Sequence, residues 1–221
     1  MVKVTAQNNF SYLTTALVLL LLASALSEQF AAGYGAHLIE AATILALASG
    51  VWSIRRDRWL FRTGIGFGAG ILVATLFSIF LKQTGLGLLQ LGLMLGFFLI
   101  TTWVAGRQVL AVAEVDRNKI VGAVCLYLLL AMIWTTLYLI AEELQPGSFN
   151  GLNPDYWYNN FGDVVYFSFV TLTTLGYGDI TPALPLPRFL VYMEAIIGQF
   201  YLAIMVASLV GIRISMRLKE D

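Results

Sequence analysis

Six apolar stretches, near residues 10–27, 38–54, 60–81, 86–105, 119–142 and 187–212, leave this chain few ways to fold. Crossing the hydrocarbon core of a bilayer takes about 20 helical residues. Lipid offers no partner to an open backbone, so these stretches are read as six transmembrane helices. A seventh stretch, Asp163 to Thr173, is apolar and aromatic but too short to span; it is expected as a re-entrant helix that protein must bury. Only 12% of the 221 residues are charged, against about 25% in soluble domains. The mean hydropathy of +0.80 agrees that lipid is the solvent for most of the surface. The net charge of zero gives no field that would draw nucleic acid.

The basic residues test this layout independently. With Lys3 cytoplasmic and successive loops alternating sides, every Lys and Arg except Lys82 and Arg188 falls on the cytoplasmic side, as the positive-inside tendency requires. Both termini are then cytoplasmic, and a multi-pass protein of the plasma (cell inner) membrane is expected. Arg55, Arg56, Arg58 and Arg62, with Trp59, form a basic loop. Setting topology suffices to explain it, and anionic-lipid binding is an addition. Lys3, the run Leu17–Leu22 and Ala23-Ser24-Ala25 have the order of a secretory leader. The apolar stretch from Phe10 to Leu26 is long for one, so a retained helix is expected. Glycines at 64, 66, 68 and 70, and Gly92 with Gly96, are spaced for close helix packing.

Catalytic chemistry finds no foothold. Cys125 is the sole cysteine and His37 the sole histidine, and no nucleophile–base set or pair of catalytic carboxylates is recognisable. No enzyme and no cofactor are expected.

The most specific stretch is residues 171–179, Thr-Leu-Thr-Thr-Leu-Gly-Tyr-Gly-Asp. Gly176 and Gly178 can take positive φ without a Cβ penalty, so alternate peptide planes can turn the same way and aim successive carbonyls along one line. Thr174 adds a hydroxyl at one end. Several such strips facing one another can replace the water around a dehydrated monovalent cation.

Residues 119–213 resemble the pore module of the tetrameric potassium channels over its whole length: outer helix, pore helix, filter and inner helix. The resemblance implies an all-α membrane protein working as a C4 homotetramer, with potassium as the permeant ion. It implies potassium coordination by the carbonyls of Thr174, Leu175, Gly176 and Tyr177 and by the Thr174 hydroxyl, with Gly178 completing the filter. Thr173, Asp179 and an aromatic cuff of Tyr166 and Phe167 would support it, with Tyr177 turned from the pore against the pore helix. Val170 stands where some bacterial members carry a buried glutamate. Asp163 suits the positive end of the pore-helix dipole, and Asn159 and Asn160 are candidates for its cap. Glu194, an intramembrane carboxylate, is expected behind the filter near the pore helix. Gly198 occupies the place of a hinge glycine, with close helix packing an equal explanation. Gln199, Leu202, Val206 and Val210 form a stripe facing a wet cavity, with a gate near Val210 to Ile214.

Residues 1–112 sit where a voltage sensor would precede the pore domain, 113–221. Steep voltage gating takes roughly 3–4 charges per subunit, yet Leu86 to Ala105 holds none; voltage dependence is expected to be weak. The few residues after Arg213 leave no place within this sequence for a ligand-sensing domain. A potassium-selective channel is the leading reading. Its alternatives are a less selective cation channel of the same fold and the ion-conducting subunit of a potassium transport system.

Overall fold

The computed structural model describes residues 9–27, 66–71, 73, 86–110, 117–153 and 157–220. The expected span at 38–54, most of that at 60–81, the basic cluster Arg55–Arg62 and His37 lie outside the described residues.

Among the described residues, the apolar stretches build helices Asn9–Ser27, Gly87–Leu110, Arg117–Leu144 (the outer helix), Phe161–Leu172 (the short helix) and Pro185–Glu220 (the inner helix). Among the described residues, three segments are long and apolar enough to cross a membrane: Gly87–Val109, Ile120–Leu144 and Pro185–Met205. Phe10–Leu26 and Phe161–Leu172 are apolar but shorter. The first of these was expected as a span over 10–27, a stretch that helix Asn9–Ser27 covers; the second was expected as too short to span.

Local chemistry sets the ends of the helices. Pro185 opens the inner helix, where a fixed φ and a missing N–H are harmless. The short helix begins at Phe161, two residues before the expected start, and Asp163 lies in its first turn, where a carboxylate favours the positive end of the dipole. Asn160 holds the cap position and its carbonyl accepts the Val164 N–H at 2.9 Å. Its side chain does not cap the helix as expected; the amide donates instead to the Asn153 carbonyl at 2.8 Å, tying the preceding loop to the helix start.

The outer helix is the hub on which the first helix, helix Gly87–Leu110, the short helix and the inner helix all pack. Leu129, Met132, Tyr138 and Leu139 are buried along it, in one core with Leu13, Leu17 and Leu20 of the first helix and Leu91, Phe97 and Phe98 of helix Gly87–Leu110. The outer helix is approached closely at Gly122, where a Cβ would stand 2.7 Å from Val109 Cγ2 and 3.0 Å from Phe10 Cδ2. The glycine-spaced packing expected from sequence holds at Gly96, whose Cβ would meet Phe67 at 2.6 Å. Among the described residues nothing stands within 4 Å of a Cβ at Gly66, Gly68 or Gly92.

Beyond the outer helix the chain turns back through a small tie. The Glu142 carboxylate accepts the Gly147 N–H at 2.7 Å and the Phe149 N–H at 3.1 Å. Strands Phe149–Asn150 and Thr181–Pro182 then pair antiparallel, and the Ala183 N–H reaches the Ser148 carbonyl at 2.8 Å. Gly151, at φ +90°, lies so close to this return that a Cβ would stand 2.5 Å from the Asp179 carbonyl oxygen.

Candidate functional site

Between the short helix and the second strand, residues 173–179 form an extended strip whose side chains are exposed in the single chain. The backbone alternates in hand. Thr174, Gly176 and Gly178 have φ of +59°, +60° and +80°, while no intervening residue is left-handed. Alternate hands turn each peptide plane back on the last, so successive carbonyls point the same way. Hydrogen bonding supports that reading at the start of the strip. The Leu175 and Gly176 N–H groups both turn back to the Val170 carbonyl, at 2.9 and 3.3 Å, and the Thr174 N–H reaches the Thr171 carbonyl at 2.9 Å. Left-handed backbone is free for glycine but costs a threonine about 1–2 kcal/mol, so Thr174 is held there by its surroundings. The glycines announce their own conformation; the same two-residue spacing was the one sequence signal for Thr174.

Two layers stand behind the strip. Toward its far end, the rings of Tyr177 and Tyr166 stack at 6.5 Å and 12°. The Tyr166 hydroxyl donates to the Asp179 carboxylate, which also accepts the Ile180 N–H at 3.1 Å. That hydroxyl holds the Asp179 carboxyl below the usual carboxylate range. Phe167, expected in the same cuff, turns away within this chain and packs on Tyr138 and Phe149 at 5.3 and 5.6 Å. Consecutive helical residues do not face one way, so the two rings serve opposite sides of the short helix.

The deeper layer is polar. Glu194 is fully buried. One carboxylate oxygen accepts from Tyr138, and the other from Ser168 at 2.6 Å. Ser168 Oγ also lies 2.9 Å from the Ala131 carbonyl, so outer, short and inner helices meet at one carboxyl group. Sequence placed Glu194 near the short helix but missed Tyr138 and Ser168. Their signal was the rule that a buried carboxylate must find donors. Tyr127 adds a hydrogen bond to the Leu172 carbonyl at 3.1 Å, and Tyr201 one to the Ala123 carbonyl at 2.6 Å.

Near end and inner helix meet at Gly198. A Cβ there would collide with the Leu172 carbonyl oxygen and stand 2.9 Å from Leu172 Cδ1. The inner helix passes through Gly198 as one helix, so of the two explanations weighed for this glycine, packing is the one with contacts. The next residue, Gln199, donates from Nε2 to Thr174 Oγ1 at 3.2 Å. Leu202 is exposed. Val206 and Val210 continue the helix, their side chains outside the described residues. Among the described residues no cluster of His, Cys, Asp and Glu could hold a metal ion.

Residues 122–214, from the outer helix through the strip to the inner helix, match the family model described as "Ion channel". Over 92 residues the chain is 35% identical to the inward rectifier potassium channel Kirbac3.1 of Paramagnetospirillum magnetotacticum. That alignment covers 40% of this chain and 27% of the relative, so the chain spans little more than a quarter of that protein's length. No solved structure matches the chain.

Proposed function

We propose, from the ion-channel domain at residues 122–214, that this chain is the subunit of a potassium-selective channel. Four copies around one axis would bring four strips together, the symmetry a closed ring of identical subunits provides. Carbonyls of Thr174, Leu175, Gly176 and Tyr177, with the Thr174 hydroxyl, would replace the ion's hydration shell. Left-handed φ at 174, 176 and 178 is the observation that carries this reading. Tyr166, Tyr177 and Asp179 would brace the outer end, and Glu194 the rear. The carboxyl end of the short helix, negative by its dipole, would favour a cation below the strip. The stripe of Phe189, Tyr192, Phe200 and Ile204, exposed in the single chain, supplies the apolar surface that neighbouring subunits and lipid would cover.

In this reading residues 113–221 are the pore domain and 1–112 a membrane domain without gating charge. Helix Gly87–Leu110 carries Arg107 alone, in its last turn. Ions move down their gradient, no covalent step or cofactor is involved, and both termini face the cytoplasm at the cell inner membrane. The test is reconstitution of the full chain in phospholipid vesicles with potassium and sodium fluxes measured separately. Potassium flux far above sodium flux is expected, with a tetramer in solution. Equal fluxes of the two ions would make it a nonselective cation channel, and no flux would end the reading.

A further inference from the structure

Gln199 was expected only as the polar member of a cavity stripe. Its position gives it a more particular task, which rests on the potassium-pore reading above. The strip begins with its one strained residue, Thr174, held by φ of +59° without a glycine's freedom. The Thr174 N–H is committed to Thr171, and the next two N–H groups share the Val170 carbonyl. All three bonds run to the short helix behind the strip and none orients the hydroxyl. The described contact that does is the Gln199 amide, 3.2 Å from Thr174 Oγ1.

Gly198 makes that reach possible. Because a Cβ at 198 would strike the Leu172 carbonyl, only glycine lets the inner helix approach the end of the short helix this closely. The next residue is thereby delivered to the strip's first hydroxyl. A threonine hydroxyl has one hydrogen and two lone pairs. With one lone pair occupied by the amide, its rotation is fixed, and a single lone pair is left to meet a cation.

We infer that Gln199 is a positioning residue for the innermost cation site: donated by the inner helix, its amide fixes the Thr174 hydroxyl and sets how strongly that ring of oxygens holds a cation. Upper sites, built from carbonyls of Leu175, Gly176 and Tyr177, do not depend on it. Barium, close to potassium in size but doubly charged, is the probe. Entering from the cytoplasmic side, it meets the Thr174 ring first.

The experiment is recording from the full-length channel in planar bilayers with barium added to one side. Gln199→Leu and Gln199→Met preserve volume and remove the donor. Both are expected to weaken cytoplasmic-side block at least about fivefold, the effect of losing one hydrogen bond of ordinary strength. In a Thr174→Val background, Gln199→Leu should add less than about twofold, because its partner is gone. Thr174→Ser, which keeps the hydroxyl, should keep the sensitivity to Gln199. Unchanged block in both Gln199 variants, or the same fivefold loss in the Thr174→Val background, would overturn the inference while leaving the channel reading intact. A wild-type protein that conducts no potassium removes both.

Discussion

The outer and inner helices are neighbours, both long and apolar enough to cross a membrane, yet the chain treats them in opposite ways. Of the spanning window of the outer helix, 61% is buried inside one chain; of the inner helix window, 11%. The outer helix has its partners already: two helices in front, the short helix and the inner helix behind. The inner helix touches its own chain through the Glu194 carboxyl, the Gly198 contact, and the Gln199 and Tyr201 hydrogen bonds, leaving Phe189, Tyr192, Phe200 and Ile204 open. One helix is largely covered by its own chain, whereas the other leaves most of its surface open. The strip, exposed from Thr173 to Asp179, goes with the second.

Substitutions can break this contrast, and the largest effect is expected in the strip. Gly178→Ala puts a Cβ on a left-handed residue at φ +80°. In the proposed ring the penalty of about 1–2 kcal/mol would fall on every subunit, so potassium flux in vesicles should fall at least about a hundredfold while the helices remain folded by circular dichroism. Next comes Phe200→Lys, on the open face of the inner helix. Light scattering in detergent should show loss of the tetramer with helix content unchanged. By contrast Leu129→Ala, at a fully buried position on the outer helix, should lower stability by about 2–5 kcal/mol through the cavity it leaves. The tetramer should survive at low temperature. If Leu129→Ala splits the assembly and Phe200→Lys does not, the division of labour between the helices is wrong.

Smaller effects sharpen the junction between the two. Glu194→Ala strands the Tyr138 hydroxyl in a dry interior, at about 1–3 kcal/mol, while Ser168 keeps the Ala131 carbonyl as an acceptor. Glu194→Gln, which can still bond both, should cost less; thermal denaturation compares them. The smallest effect concerns pH. Asp179 lies outside the spanning helices, and its carboxyl is held below the usual range by Tyr166. A depressed carboxyl contributes stability above its ordinary range and loses it as pH falls through the depressed value. Wild-type filter function should therefore persist in mildly acidic outside solution. Tyr166→Phe should move the acid midpoint upward, read as potassium flux against external pH.

What was legible from sequence follows the same line between local and tertiary. Apolar length alone placed the outer, short and inner helices, because a helix in lipid is a property of its own residues. Two glycines in alternation announced the strip for the same reason. The left-handed Thr174 was not legible, since threonine prefers otherwise and only its neighbours force it. Nor was the division between Tyr166 and Phe167, which depends on how the short helix is rotated against the outer helix. Asn160 read as a cap by residue type, and a competing carbonyl at Asn153 claimed its amide. Gly92 had the spacing of a packing glycine, yet among the described residues nothing stands within 4 Å of where its Cβ would be.

The paired strands at 149–150 and 181–182, with the Glu142 staple beneath them, have a further consequence. The strip is strung between two fixed posts, the Val170 carbonyl at one end and this clasp at the other. A string without slack cannot change its length. One residue added between 174 and 180 would buckle the row of oxygens.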